Sequence, residues 1–504
     1  MSVGELKAEG GTAARPRRTG VARHTAINFA GQLSGNLISF ITVPIYFHLI
    51  GAERFGVLSL AWLFLGYFSA FDLGLGRATS FRIAALRDSA PEARARAFWT
   101  ATAVNLGLGM LGGAALWAAG MVFFGQVFKV DPGLRPEMIA SVPLLAAAVP
   151  TATLSGVLYG ALVGRERFLS TNLVSTMSTL FFQVFPICVA LTFGPSLPLL
   201  LGSAIFARFA ALLVLMAMCR RELTQGHAPR IDTGEVRNLL GYGLWVTVAA
   251  LSGPILVFAD RFAIGATLGA IAVATYTVPF QLAQRIGLIP GALTVSLFPR
   301  FVPASAEERD RANQVVTLTL AAVLSVLVLV AIVFLAPFLD IWVGHKVAAL
   351  SAPVGRILLI GFWVNAFAYV PSMTLQASGR PRGVALILVL QIPAYLVALY
   401  VGMSAFGLIG CAVVFCLRNA VDWLMFAWSA HRNLKGWPVL LADLLLLTSA
   451  ALLVGSPLEN IPKNAALALV VAATVALGWC SAPPEARRLF GSFAVRLRHA
   501  VSSA

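Results

Sequence analysis

Charge of either sign is scarce in this sequence, and acidic charge is scarcest. Asp, Glu, Lys and Arg make up 12% of the 504 residues, 21 of them acidic and 37 basic, against 59% hydrophobic residues and a mean hydropathy of +0.85. A chain with so little to offer water is excluded from the soluble globular class and reads as an integral membrane protein. Lysine is rarer still: Lys7, Lys129, Lys346, Lys435 and Lys463 are all there are, and none precedes Ser or Thr. A phosphate-cradling Walker A loop is therefore missing. ATP hydrolysis is not built in, and any work must draw on an ion gradient, the membrane potential or a substrate gradient. The five cysteines, Cys188, Cys219, Cys411, Cys416 and Cys480, lie in or at the ends of apolar segments without metal-ligand or disulfide spacing, and read as packing thiols. No cofactor and no metal site is expected. No connection is long enough to fold as a catalytic domain, the longest outward one running from Leu339 to Ile357; an embedded enzyme acting on lipid-linked substrates needs such a region or re-entrant segments.

What is present is a succession of apolar runs, each near the roughly 20 residues that cross a bilayer. Fourteen are expected, beginning with Thr25–Leu49 and Phe55–Leu75, continuing through Leu197–Met218, Leu240–Ile264, Ala272–Phe298, Ile357–Leu375 and Leu408–Ala430, and ending with Val439–Val454 and Ala465–Trp479. The net charge of +16 is scattered between these runs and forms no nucleic-acid-binding surface. Of the 37 basic residues, Arg54, Lys129, Arg135, Lys346, Arg356 and Lys463 fall in one alternate set of connections, Arg208, Arg261, Arg285 and Arg418 lie inside spans, and the other 27 fall in the opposite set. Cytoplasmic connections retain Lys and Arg, so both termini are expected in the cytoplasm and the span number is expected to be even. The basic N-terminus is followed by a span too long for a signal h-region, with no small-residue cleavage pattern behind it, and is expected to be retained.

The chain echoes itself six spans on. The first span turns at Leu49-Ile-Gly-Ala-Glu-Arg-Phe-Gly56, with the six residues from Gly51 to Gly56 as the turn itself, and the seventh at Thr267-Leu-Gly-Ala-Ile-Ala-Val-Ala274, while Arg208 and Arg418 each sit about ten residues in from the outer end of their spans. A unit with an even number of spans inserts its copy in the same orientation, which puts the pseudo-axis along the membrane normal. The expected fold is all-α, with two six-helix lobes and two further C-terminal helices. The divisions are a basic cytoplasmic tail (1–24), the first lobe (25–222), a cytoplasmic linker (223–238), the second lobe (239–432), two additional helices (433–482) and a second basic tail (483–504). That last tail mixes basic and apolar residues at helical spacing, suited to the inner membrane surface.

Pro44-Ile-Tyr46, Gly51 to Gly56, Phe71-Asp-Leu-Gly-Leu-Gly-Arg-Ala78 and Gln284-Arg285-Ile-Gly-Leu-Ile-Pro290 running on to Leu297-Phe-Pro-Arg300 resemble the polysaccharide-biosynthesis flippases. Their superfamily also holds multidrug exporters of the toxin-extrusion type and the lipid II flippase. The resemblance implies a two-lobed protein of the bacterial inner membrane that moves an undecaprenyl-diphosphate-linked oligosaccharide to the outer leaflet by alternating access. It implies as partners that lipid, the membrane lipids, and the polymerase and glycosyltransferases of the same pathway. One departure bears on the branch: lipid II flippases place arginines in the first span, where this chain has Asn28, Gln32 and Asn36.

Those three amides recur every four residues and share a helix face, which should look into the bundle or a wet cavity, where their donors find partners. They suit sugar hydroxyls; polar glue between helices is the alternative. Gln281, Gln284 and Arg285 stand well inside the eighth span. An arginine there costs at least about 2.5 kcal/mol unless a partner or water receives it, and a diphosphate is a natural partner for a guanidinium; a structural ion pair is the alternative. Asp72 and Arg77 are expected to shape the inner gate. Arg208, Arg418 and Asp422 read as structural charges, the latter two paired at i, i+4. Asp260 and Arg261 adjoin near the outer end of the seventh span, where snorkelling to the interface is easy. Asp72, Asp260 and Asp422 are the candidate proton or sodium groups. A cation-coupled drug exporter wants acids in its cavity and a diphosphate carrier wants arginines; the intramembrane arginines favour the second.

The topology has a direct check. Reporters inserted after Ala90 or His227 should read as cytoplasmic, and those after Asp131 or His345 as external; a reversal at any one site would break the assigned alternation.

Overall fold

The computed structural model describes residues 18–68, 75–86, 90–224, 226–232, 236, 256, 258–301, 303–430, 436–456, 460–484 and 487. Every regular element among them is helical. In order they are α1 (Arg18–Phe68), α2 (Leu75–Ala85), α3 (Pro91–Val122), α4 (Arg135–Gly164), α5 (Phe168–Phe193) and α6 (Leu197–Cys219), then α7 (258–267), α8 (Ala270–Ala283) and α9 (Leu288–Phe301). They continue with α10 (Ala306–Val343), α11 (His345–Ala377), α12 (Pro381–Ser429), α13 (Trp437–Gly455) and α14 (Asn460–Ser481). Nine described stretches are long and apolar enough to cross a membrane, so the chain is a multi-pass membrane protein. One of the nine, Arg382–Ser429, has 48 residues. At 1.5 Å per residue it is about 72 Å long, more than twice the hydrocarbon thickness, and it is broken at Gly407 (φ 58°, ψ −135°). A total of fourteen stays a proposal, because residues 240–255 and 257 lie outside the described residues.

Single glycines make several of the turns between helices. Gly51 (φ 77°, ψ 167°) interrupts α1 and Gly269 (φ 90°, ψ 179°) separates α7 from α8, a backbone region open in practice only to glycine. Gly194 and Gly344 adopt the same conformation between α5 and α6 and between α10 and α11. The turn expected over residues 51–56 therefore shrinks to one residue, and the outward connection expected from Leu339 to Ile357 is helix on both sides of Gly344. A hydropathy window marks the hydrocarbon; these helices run past it, carrying Asp340, His345 and Lys346 beyond the apolar layer.

The eighth span is not uniform. Gln284–Gly287 form a 3-10 turn between α8 and α9. Pro290 explains it: its ring clashes with the carbonyl four residues back, at Ile286, and it has no N–H to close that bond. Ser305 and Glu308 cap α10 reciprocally, each side chain taking the other's backbone N–H. The bond from the Ser305 N–H holds the Glu308 carboxyl below its ordinary range.

In the N-terminal half α2, α3 and α6 pack on α4, and α5 packs on α1 and α6; in the C-terminal half α8, α10 and α12 pack on α11, with α13 and α14 against α10. The halves meet chiefly where α1 crosses α8. Small residues allow the closest approaches. A Cβ on Gly160 of α4 would stand 2.0 Å from the Gly76 carbonyl oxygen of α2, whereas Gly107 of α3 has no neighbour within 4 Å of its Cβ position. Gly160→Ala should therefore destabilise the protein by about 1–3 kcal/mol, read as a lowered unfolding temperature in detergent, while Gly107→Ala should not. Equal behaviour of the two variants would show that this contact does not set the helix spacing.

Candidate functional site

Between the halves lies a cavity of about 470 Å³ lined by Ser39 and Trp62 of α1, Gln183 of α5, Gln281 of α8, Gln284 and Arg285 of the 3-10 turn, and Tyr369 of α11. Counting from Ala270, Gln281 and Arg285 stand about 16 and 22 Å in from the outer end of their span. Three residues singled out in the sequence, Gln281, Gln284 and Arg285, thus share one wall. Opposite them is a polar strand of contacts: Gln183 Nε2 donates to Ser39 Oγ at 3.3 Å, Thr42 Oγ1 donates to Gln183 Oε1 at 3.3 Å, and the Tyr46 hydroxyl donates to the Gln183 carbonyl. Among the described residues no carboxylate lines this cavity. Its charged wall is a guanidinium set among amides and two aromatic rings.

Aromatic and backbone contacts also join the halves toward the end that carries the Gly51 and Gly269 turns. Phe40 of α1 stacks on Phe338 and Trp342 of α10, with ring centroids 5.9 and 5.1 Å away, and Trp342 Nε1 donates to the Phe40 carbonyl at 3.0 Å. The Lys129 N–H, in the connection between α3 and α4, donates to the Gly265 carbonyl at 3.1 Å, and the Ala270 N–H donates back to the Lys129 carbonyl at 3.2 Å. Beside them Phe123 meets Phe262 edge-on, and a Cβ on Gly56 would lie 2.0 Å from the Ala270 carbonyl oxygen. Glycine at 56 is what lets the two halves close this far.

The other expected residues fall elsewhere. Asn28, Gln32 and Asn36 lie on the helical backbone of α1 and Arg77 on that of α2, but their side chains are outside the described residues, as is Asp72 altogether. Arg208 of α6 lies over the Phe182 ring of α5 at 4.6 Å, next to Gln183 but not on the cavity. Arg418 and Asp422 of α12 form the expected i, i+4 pair: Nη2 and Nε of the arginine reach Asp422 Oδ2 at 2.6 and 3.2 Å, and Nη1 donates to the Leu256 carbonyl. Asp260 and Arg261 do not snorkel. Both are buried, the Arg261 guanidinium lying 3.6 Å from the Phe280 ring centroid and 3.5 Å from Asp260 Oδ1, while the Tyr276 hydroxyl donates to Asp260 Oδ2 at 2.9 Å. α8 folds back over the pair, and rings replace the headgroups that the arginine would otherwise seek.

Trp62, Gln183, Ser39 and Tyr369 were not anticipated. In sequence a lone aromatic in an apolar helix looks like packing, and only the crossing of α1, α5, α8 and α11 assembles these four. Ser39 alone carried a signal, lying three residues beyond Asn36 and seven beyond Gln32 on the polar face of the first span.

Known proteins place this architecture. The structure is similar to the lipid II flippase MurJ in an inward closed conformation (TM-score 0.63, 13% identity, covering 91% of this chain and 99% of that one). It is equally similar to an inward-facing multidrug resistance MATE family transporter of the MOP superfamily (TM-score 0.63, 16% identity, 84% and 96%). A mutant of the Vibrio cholerae MATE transporter VcmN follows at 0.55 (15% identity, 82% and 98%). At these identities the likeness concerns the fold. In sequence the chain is 27% identical over 412 residues, 81% of its length and 97% of the relative's, to a Shigella flexneri protein assigned as an O-antigen transporter. The family profile described as polysaccharide biosynthesis protein matches residues 21–305, more than half of the 504 residues, and the chain belongs to that family.

Proposed function

We propose that this protein is a flippase of the bacterial inner membrane, with both termini cytoplasmic. It carries an undecaprenyl-diphosphate-linked oligosaccharide from the inner to the outer leaflet by alternating access, for the assembly of a surface polysaccharide such as O-antigen, capsule or exopolysaccharide. Two lobes, broadly α1–α6 and α7–α12, rock about the cavity between them, and the glycosyltransferases and polymerase of the pathway supply and consume the cargo. The observation that carries this reading is Arg285, placed with Gln281 and Gln284 on a cavity between the halves that no carboxylate lines among the described residues. A diphosphate supplies the anion the guanidinium wants; amides and rings suit a saccharide. The O-antigen transporter among its relatives fits the same cargo.

A cation-coupled drug exporter fits less well, because its cargo would meet Arg285 and no acid. A lipid II flippase shares the fold but not the arginine-bearing first span that the family resemblance associates with it. If an ion gradient drives the cycle, Asp260 and Asp422 are its points of action among the described residues; Asp422 Oδ1 is buried and makes no hydrogen bond.

Deleting the gene should abolish the surface polysaccharide while its lipid-linked unit accumulates on the inner leaflet. A hydrogen bond to a charged group contributes about 1.5–3 kcal/mol, so Arg285→Ala should slow complementation of that deletion roughly 10- to 150-fold, with Arg285→Lys in between. Full activity in both variants would show that the diphosphate is held elsewhere.

A further inference from the structure

A second cavity, of about 510 Å³, lies inside the C-terminal half between α9, α11 and α12. One stripe of α11 forms its polar wall: Asn365, Tyr369, Ser372 and Gln376 recur at spacings of four, three and four, which keeps them on one helix face. Arg418 and Asp422 face them from α12, with Thr294 on α9. Two acceptors there have no partner among the described residues. Asp422 is 2% exposed; its Oδ2 takes both bonds from Arg418, and its Oδ1 is buried with no hydrogen bond. Asn365 donates Nδ2 to Asn419 Oδ1 at 3.1 Å, and that bond leaves its own carbonyl oxygen uncommitted.

These features define a ligand. Unused acceptors in a membrane interior call for O–H or N–H donors. Arg418 already neutralises Asp422, so the wall carries no net charge to hold a metal cation, and the volume is far larger than an ion requires. Amides and hydroxyls alternating with the Tyr369, Phe298 and Phe426 rings suit an uncharged, hydroxyl-rich molecule with apolar C–H faces.

Tyr369 also lines the central cavity, so one side chain stands between the two. Its hydroxyl lies 3.2 Å from the Cβ position of Gly287 and its ring 3.9 Å from that of Gly291, against the turn that carries Arg285. We propose that the second cavity is the saccharide subsite: the sugars of the cargo lie past Tyr369 among Asn365, Ser372, Gln376 and Asp422, while the diphosphate is held at Arg285. This rests on the flippase reading and assigns that substrate's two ends to two compartments.

Two probes separate the ends: the lipid-linked oligosaccharide extracted from cells lacking the flippase, and undecaprenyl diphosphate without sugar. Binding of each is measured to the purified full chain in nanodiscs. Asn365→Leu and Gln376→Leu should weaken binding of the sugar-bearing lipid at least about tenfold and leave the bare diphosphate within twofold. Arg285→Ala should weaken both. Unchanged binding of the sugar-bearing lipid in both cavity variants would overturn the subsite and leave the flippase reading standing. Equal loss for both probes would overturn it too, because a disturbed fold does not discriminate between ligands. If wild-type protein binds neither probe, or Arg285→Ala binds both as wild type does, the diphosphate assignment itself falls, and the subsite with it.

Discussion

A guanidinium in hydrocarbon has no solvent to fall back on, and that constraint orders the interior of this protein. Arg261 is met by Asp260 and the Phe280 ring, Arg418 by Asp422 and the Leu256 carbonyl, and Arg208 by the Phe182 ring. Each of these arginines finds its partners within its own half of the molecule. Arg285 differs in place: it lies on the cavity between the halves. In the proposed cycle that is where the diphosphate of the cargo meets it, a diphosphate being a natural partner for a guanidinium.

The helical geometry changes at this site. The 3-10 turn at Gln284–Gly287 winds about 120° per residue where an α-helix winds about 100°. Rewinding its four residues as α-helix therefore turns α9 by about 80° relative to α8 and shortens the span by about 2 Å. Arg285 sits inside that turn, and Tyr369 rests on its glycine. The contacts that join the halves toward the Gly51 and Gly269 turns are of the kind that can part. They consist of ring stacks and two backbone hydrogen bonds between the connection following α3 and the turn before α8, groups that water can satisfy once they separate.

Much of the architecture is legible in the sequence because a bilayer demands long apolar runs and leaves them visible. The glycines are legible as well: Leu-Ile-Gly51-Ala and Thr-Leu-Gly269-Ala read as matching turns, and both glycines take the left-handed backbone that such a tight reversal requires. Helix ends are not, since polarity marks where hydrocarbon stops and α10 and α11 continue beyond it. Arg285 stood out by its cost in a span. Trp62, Gln183 and Tyr369 did not, because their role comes from which helices cross, and an isolated helix carries no trace of its neighbour. Asp260 and Arg261 show the same limit: depth within a span suggested the interface, whereas the packing of α8 over α7 buries both.

In the proposed cycle the contacts between the connection following α3 and the turn before α8 must part for cargo to leave. In a protein lacking its five native cysteines, Lys129→Cys and Ala270→Cys place a cross-linkable pair across those contacts, where the two backbones already exchange a hydrogen bond. Transport of the lipid-linked oligosaccharide in proteoliposomes should stop when this pair is oxidised and return on reduction. Undiminished transport by the cross-linked protein would contradict an alternating chamber between the two halves.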